Sequence, residues 1–167
     1  TTLVMPTTLV MPTTLVVPTT LADFKTPMLD FRNKRNIKLP SKRWPFIEAI
    51  QQASDGETRY PRFSQVIDEI NSGKKINCWS WYVFPSLKEI RPLSTRPEFL
   101  IDGFDGASGL LLNGWYRSNL IDLLSAINKQ LAAGISIDQL LGIHDAEKFK
   151  QMVYLFSLAA QLIGRSA

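Results

Sequence analysis

One cysteine and one histidine occur in the 167 residues, and these two scarcities exclude more chemistry than any other feature of the chain. A lone Cys78 excludes an intrachain disulfide framework and a multi-cysteine zinc site. It suits an intracellular, reducing compartment, the cytoplasm first, with nucleus or organelle left open. A lone His144 excludes two-histidine metal motifs, so no metal and no cofactor is expected. Charge is missing from the first twenty residues, which read TTLVMP-TTLVMP-TTLVVP-TT. Pro6, Pro12 and Pro18 would break a helix there three times, which argues against a transmembrane span. No basic region precedes this apolar stretch, so a signal peptide is not expected either. The chain starts at Thr1 rather than Met, which leaves a missing or removed leading piece open.

What is present divides the chain in three. Residues 1–20 form the Thr/Pro/apolar repeat, too short for a solenoid and suited to an extended arm lying along a partner surface. Residues 21–45 form a basic linker. Within it, Arg32, Lys34, Arg35, Lys38, Lys42 and Arg43 occur with no acidic residue between them. Without those six, 13 basic residues face 15 acidic ones, so the net charge of +4 belongs to one short segment. Such a run can neutralise phosphates or meet an acidic protein surface, and it can also be a solvated linker. No aromatic lies inside it, which disfavours base stacking there.

Residues 46–167 read as an all-α, compact helical bundle carrying that arm. Phe46, Ile47 and Ile50 share one side of a helix ending at Ala53, before the turn Ser54-Asp55-Gly56. Phe63, Val66, Ile67 and Ile70 follow the i, i+3, i+4, i+7 spacing, with Pro61 before them and Gly73 after. In Lys74 to Leu87, aromatics and Val form a short run bounded by Pro85, too short to separate helix from strand. Three prolines from Pro85 to Pro97 predict an irregular crossing. Asp105 is expected to cap a short helix through Leu112, weakened by Gly106 and Gly109. A longer helix is expected over Tyr116–Ala133, then a capping box of Ser136 and Gln139. A last helix is expected over Asp145–Ile163, with Asp145 as its cap and Gly164 as its stop.

Several side chains invite a chemical reading. Trp79, Trp81, Tyr82 and Phe84 could form a pocket for a nucleobase or another flat ligand, although large aromatics more often fill a core. Asp145 and Lys148 stand three apart, the spacing of a helix-surface ion pair. Cys78 with His144 would make a nucleophile–base pair only if the fold joined them. Gly103–Gly109 is glycine-rich but matches neither the P-loop nor the dinucleotide spacing, so a loosened helix start is the simpler reading. No catalytic residue is assigned.

The stretch YPRFSQVIDEINSGKKINCWSWYVFPSL, followed by GIHDAEKFKQMVYLF, resembles the bacterial domain-of-unknown-function 1810 family, sometimes labelled calpastatin-like. The resemblance covers residues 58–164. It rests on a tryptophan-rich HWMWFVFPQL-like segment and an Asp-x-x-Lys leading into an SSMTLF-like helix. Trp79, Trp81, Phe84, Pro85, Leu87, Asp145, Lys148, Leu155 and Phe156 fall on the pattern. Cys78 stands where the family tends to have His, Ser86 where it tends to have Gln, and Gln151 to Tyr154 replace a small-hydroxyl run. The resemblance implies a compact, mainly helical domain and brings no established activity.

Three functions follow as expectations. The first is a non-catalytic binding or assembly protein whose arm contacts partner chains in a larger complex. The second is a small-molecule, nucleotide-type binding domain or enzyme using Trp79 to Phe84 with Asp145 and Lys148. The third is nucleic-acid contact through Arg32 to Arg43.

Overall fold

In a computed structural model, the described residues are 42–56 and 58–165. The hexapeptide repeat and Arg32, Lys34, Arg35 and Lys38 of the basic run lie outside them, and so does the expected extended arm. Seven α-helices are present among the described residues: α1 (Pro45–Ser54), α2 (Phe63–Asn71), α3 (Ser80–Val83), α4 (Gly103–Leu112), α5 (Gly114–Ala132), α6 (Ile137–Leu141) and α7 (Ile143–Arg165). A 3-10 turn, Pro97–Phe99, precedes α4. No strand occurs among the described residues; a single parallel bridge joins Leu87 to Ile101. The domain is all-α.

Local chemistry explains most boundaries. Pro45 opens α1, where a missing N–H costs nothing. The Ser136 hydroxyl accepts the N–H of Gln139 at 3.1 Å and the Gln139 side chain accepts the N–H of Ser136 at 3.0 Å, so the expected capping box forms at α6. Asn113 caps α5 by accepting the N–H of Tyr116 at 2.9 Å. The aromatic run resolves into the four-residue α3, and the proline-rich crossing is irregular, as its composition implies.

Three expectations about helix ends change. α4 starts at Gly103, two residues before Asp105, so Asp105 sits in the first turn and is not the cap. α7 starts at Ile143, which puts Asp145 inside the first turn and frees its carboxylate for other partners. Gly164 does not stop α7, which runs to Arg165.

The core gathers one side of every helix. α2 packs on α5, α4 packs on α5 and α7, α6 packs on α7, and α1 covers α3 and the 3-10 turn. Trp79, Tyr82, Phe84 and Tyr116 are completely buried at its centre. Each such ring contributes about 1.5–3 kcal/mol through burial. The glycines of Gly103–Gly109 have a packing role. A Cβ on Gly106 would press to 3.2 Å on the Phe46 ring, and one on Gly109 would lie 2.5 Å from the Trp44 indole nitrogen. The bare face of α4 thus lets α1 approach, and Trp44, which falls within the expected linker of residues 21–45, belongs to the core.

Candidate functional site

The segment between α2 and α3 is pinned by one carboxylate. Glu69, on the buried face of α2, accepts the backbone N–H of Ile76 at 2.9 Å and of Asn77 at 3.1 Å. It also accepts the Asn77 side-chain amide and, at 2.9 Å, the indole N–H of Trp79. Burial pushes the Glu69 carboxyl up, but the donors from Trp79, Ile76 and Asn77 together outweigh it and hold the group below the usual range. A polar residue on an apolar helix face thereby fixes where the aromatic run begins.

A second carboxylate, Asp145 of α7, ties the same run to the opposite side. It accepts the Ser80 hydroxyl at 2.7 Å, pairs with Lys75 at 2.8 Å and lies 3.5 Å from the Lys148 ammonium. Lys148 also donates to the Ser80 oxygen at 3.1 Å. Ser80 is buried and gives its proton to Asp145, so its hydroxyl bridges charges and is not exposed as a nucleophile. Burial raises the Asp145 carboxyl, while Lys75, Ser80 and Lys148 bring it below its ordinary value. Lys148 is shifted down: burial leads, Arg91 and Lys75 add repulsion, and Asp145 opposes them. Two ammonium groups thus share one carboxylate, leaving a local excess of positive charge.

Trp81 carries that excess to the surface. The Lys148 ammonium lies 5.3 Å from its ring centroid and the Arg96 guanidinium 5.8 Å, both within cation–π range. They meet at a cleft of about 390 Å³, a size typical of small-molecule sites. Arg91, Arg96 and Lys148 supply its charge, Ile90 and Leu93 apolar wall over the buried Phe84, and Ser94 and Thr95 hydroxyls; among the described residues no acidic one lines it. Arg91 is steadied by the Ser86 hydroxyl at 3.1 Å and the Gln151 side chain at 3.3 Å. Among the described residues neither Arg91 nor Arg96 pairs with a carboxylate. Two positions that depart from the family pattern, Ser86 and Gln151, therefore hold the same cleft arginine.

The expected site residues separate into two groups. Trp81 and Lys148 line the cleft, with the fully buried Phe84 beneath its floor and Asp145 behind Lys148. Trp79 and Tyr82 are wholly enclosed, the first held by Glu69, the second donating to the Pro61 carbonyl. The Asp145–Lys148 pair is half-buried and joined to Ser80 and Lys75, beyond an isolated helix-surface pair. Cys78 and His144 are both exposed and no hydrogen bond joins them. Of the basic run, Lys42 lies over the Trp44 ring at 4.1 Å and Arg43 pairs with Glu48. Arg91, Arg96, Lys75 and Glu69 escaped the sequence reading. The two arginines each precede a proline in the irregular crossing, a stiff presentation of a charge that could have marked them.

No group of three or more His, Cys, Asp or Glu suited to a metal occurs among the described residues. None of their helices is long and apolar enough to cross a membrane.

Comparison with known proteins agrees with this architecture. The family model described as "Protein of unknown function (DUF1810)" matches residues 46–163, and the chain belongs to that family. No match to a curated protein was found. The crystal structure of a conserved hypothetical protein of Mycobacterium tuberculosis is similar, with a TM-score of 0.59 and 23% sequence identity. The similarity covers 72% of this chain and 81% of that one, and it extends to the fold alone.

Proposed function

We propose that the domain binds a small anionic ligand of the nucleotide type in the cleft beside Trp81. The observation that carries this reading is the convergence of Lys148, Arg91 and Arg96 on a cavity with no acidic side chain in its wall among the described residues. Three cations held together repel one another, and a bound phosphate relieves that repulsion with charge-assisted hydrogen bonds. Ile90, Pro92 and Leu93 form an apolar lip suited to the flat part of such a ligand, and Leu93 is 94% exposed. Both cations over Trp81 are placed before any ligand arrives, which lowers the ordering cost of binding.

The site supports binding more directly than catalysis. The buried Ser80 hydroxyl behind Lys148 is committed to Asp145 and Lys148. The assembly reading rests on the repeat and the basic run, most of which lie outside the described residues, and the cleft neither needs nor opposes it.

Thermal unfolding with adenosine 5′-monophosphate, adenosine diphosphate and inorganic phosphate tests the proposal. Saturation at about 100 times Kd stabilises by about 2.7 kcal/mol, a rise of several degrees in Tm. Replacing Arg91 and Arg96 with alanine should abolish the shift. No stabilisation by any of the three would refute the reading.

A further inference from the structure

A second cleft adjoins the first. It encloses about 870 Å³ between the turn after α1, the start of α2 and the segment leading to α3. Trp81 and Arg96 line both clefts, so the two share a wall. Arg59 and Arg62 bring two more cations, and among the described residues no acidic one lines the cavity. The guanidinium of Arg96 lies 5.9 Å from the Tyr60 ring centroid and 5.8 Å from that of Trp81, between a ring of the second cleft and the ring both clefts share. The Ser94 hydroxyl accepts its backbone N–H at 3.2 Å, and Pro97 follows it, so the residue carrying this charge is tethered on both sides.

Arg62 is placed with similar care. Its guanidinium lies against Gly56, where a Cβ would stand 1.8 Å from Nε, and Gly56 has φ +86°. Any side chain there would be strained and would also evict the arginine. Arg59 lies 5.4 Å from the other aromatic of this cleft, Tyr60. Cations therefore line both clefts, Arg91 and Lys148 the first and Arg59 and Arg62 the second, with Arg96 in the wall they share.

We infer that the two clefts form a single elongated site, centred on Arg96, for a nucleotide carrying phosphates at two separated positions, in the class of a 5′-phosphorylated dinucleotide. This rests on the nucleotide reading of the first cleft and extends it. A single phosphate engages only one end of that site. A ligand with two engages Arg96 together with Arg91 and Lys148 on one side and Arg59 and Arg62 on the other. The second contact is then intramolecular and adds affinity without a second loss of translational freedom.

The lone cysteine is a built-in reporter, because Cys78 is exposed and lines the second cleft only. The full chain is titrated with adenosine 5′-monophosphate, 5′-phosphorylated diadenylate and an oligoadenylate of eight nucleotides, while alkylation of Cys78 by monobromobimane is timed. The dinucleotide should bind at least about tenfold tighter than the monophosphate, the gain of one charge-assisted contact. It should also slow Cys78 alkylation several-fold, whereas the monophosphate should not. Arg62→Ala and Arg59→Ala, both at exposed positions, should erase the advantage of the dinucleotide over the monophosphate.

Equal affinity for mono- and dinucleotide, with Cys78 alkylated at the same rate, would overturn the elongated site and leave the first cleft intact. An affinity that keeps climbing through eight nucleotides would overturn it in favour of a nucleic-acid surface. No binding of any probe would remove both readings together.

Discussion

The carboxylate of Glu69 receives the indole N–H of Trp79 at 2.9 Å, ten residues along the chain, and with it the loop that leads to the cleft. Trp79 is completely buried, so its N–H has no route to water if that acceptor is lost. The same carboxylate satisfies the backbone of Ile76 and Asn77. Glu69→Ala therefore strands several donors at once and should destabilise the domain by about 1–3 kcal/mol, measured by urea unfolding. An unchanged midpoint would show that water replaces the carboxylate.

The same group sets an acid limit on stability. Its folded carboxyl titrates below the ordinary 4.5, so as pH falls the unfolded chain takes up the proton first. The stabilisation is whole above about pH 5 and is lost as pH drops through the folded value. Asp145, also held below its ordinary value, loses its contribution in the same direction. Unfolding free energy followed from pH 7 to 3 should fall less in Glu69→Gln than in the parent chain, because the amide does not titrate.

Gly109 and Trp44 offer a steric counterpart. A methyl at Gly109 would lie 2.5 Å from the indole nitrogen and 2.9 Å from the neighbouring ring carbon. Both are parts of a rigid, buried ring, so relief requires α1 to shift away from α4. Gly109→Ala should cost about 1–3 kcal/mol despite the better helix propensity of alanine. Calorimetry is the check, and a raised Tm would mean that Trp44 moves freely.

How much of this was legible in the sequence depends on the range of the interaction. The apolar stripe of α2 and the Ser136–Gln139 box are local patterns, and both stand in the structure. The family resemblance likewise fell on the segment that the structure places at the centre. Asp145 reads as a cap from chain order, which shows its neighbours in α7 and not Lys75 and Ser80, which fold back from well over sixty residues away. Glu69 was hidden for the same reason: a lone acid on an apolar stripe looks like a surface residue until the donors around it are known. Arg91 and Arg96 lie in a segment without periodicity, where pattern says nothing about direction. Trp79 and Tyr82 are enclosed while Trp81 faces the cleft, a separation that depends on the four-residue α3 and that composition alone does not contain.

The link between Lys75 and Asp145 can be weighed directly. Their side chains are 10% and 18% exposed, a setting between a surface pair and a buried one. Fully buried pairs cost about 3–5 kcal/mol when broken, whereas exposed ones are worth under ~1. A double-mutant cycle with Lys75→Met and Asp145→Asn should return a coupling of about 1 kcal/mol after allowance for solvent screening. Zero coupling would mean that Ser80 and Lys148 hold Asp145 without help from Lys75.

Lys148 sets stability against binding. Burial, reinforced by Arg91 and Lys75, depresses its ionisation below the ordinary 10.5, so the free domain carries this charge at a cost. Lys148→Met keeps the aliphatic stem against Trp81 and removes the charge, so folding stability should hold or rise slightly while nucleotide binding falls at least about tenfold. A bound phosphate favours the ammonium, so affinity should weaken as pH rises through an alkaline range lying below 10.5. That dependence should flatten in Lys148→Met and move to higher pH in Lys148→Arg, whose guanidinium keeps its proton. Calorimetric titrations with adenosine diphosphate from pH 7 to 10 measure all three, and an identical pH profile in parent and methionine variant would remove Lys148 from the site.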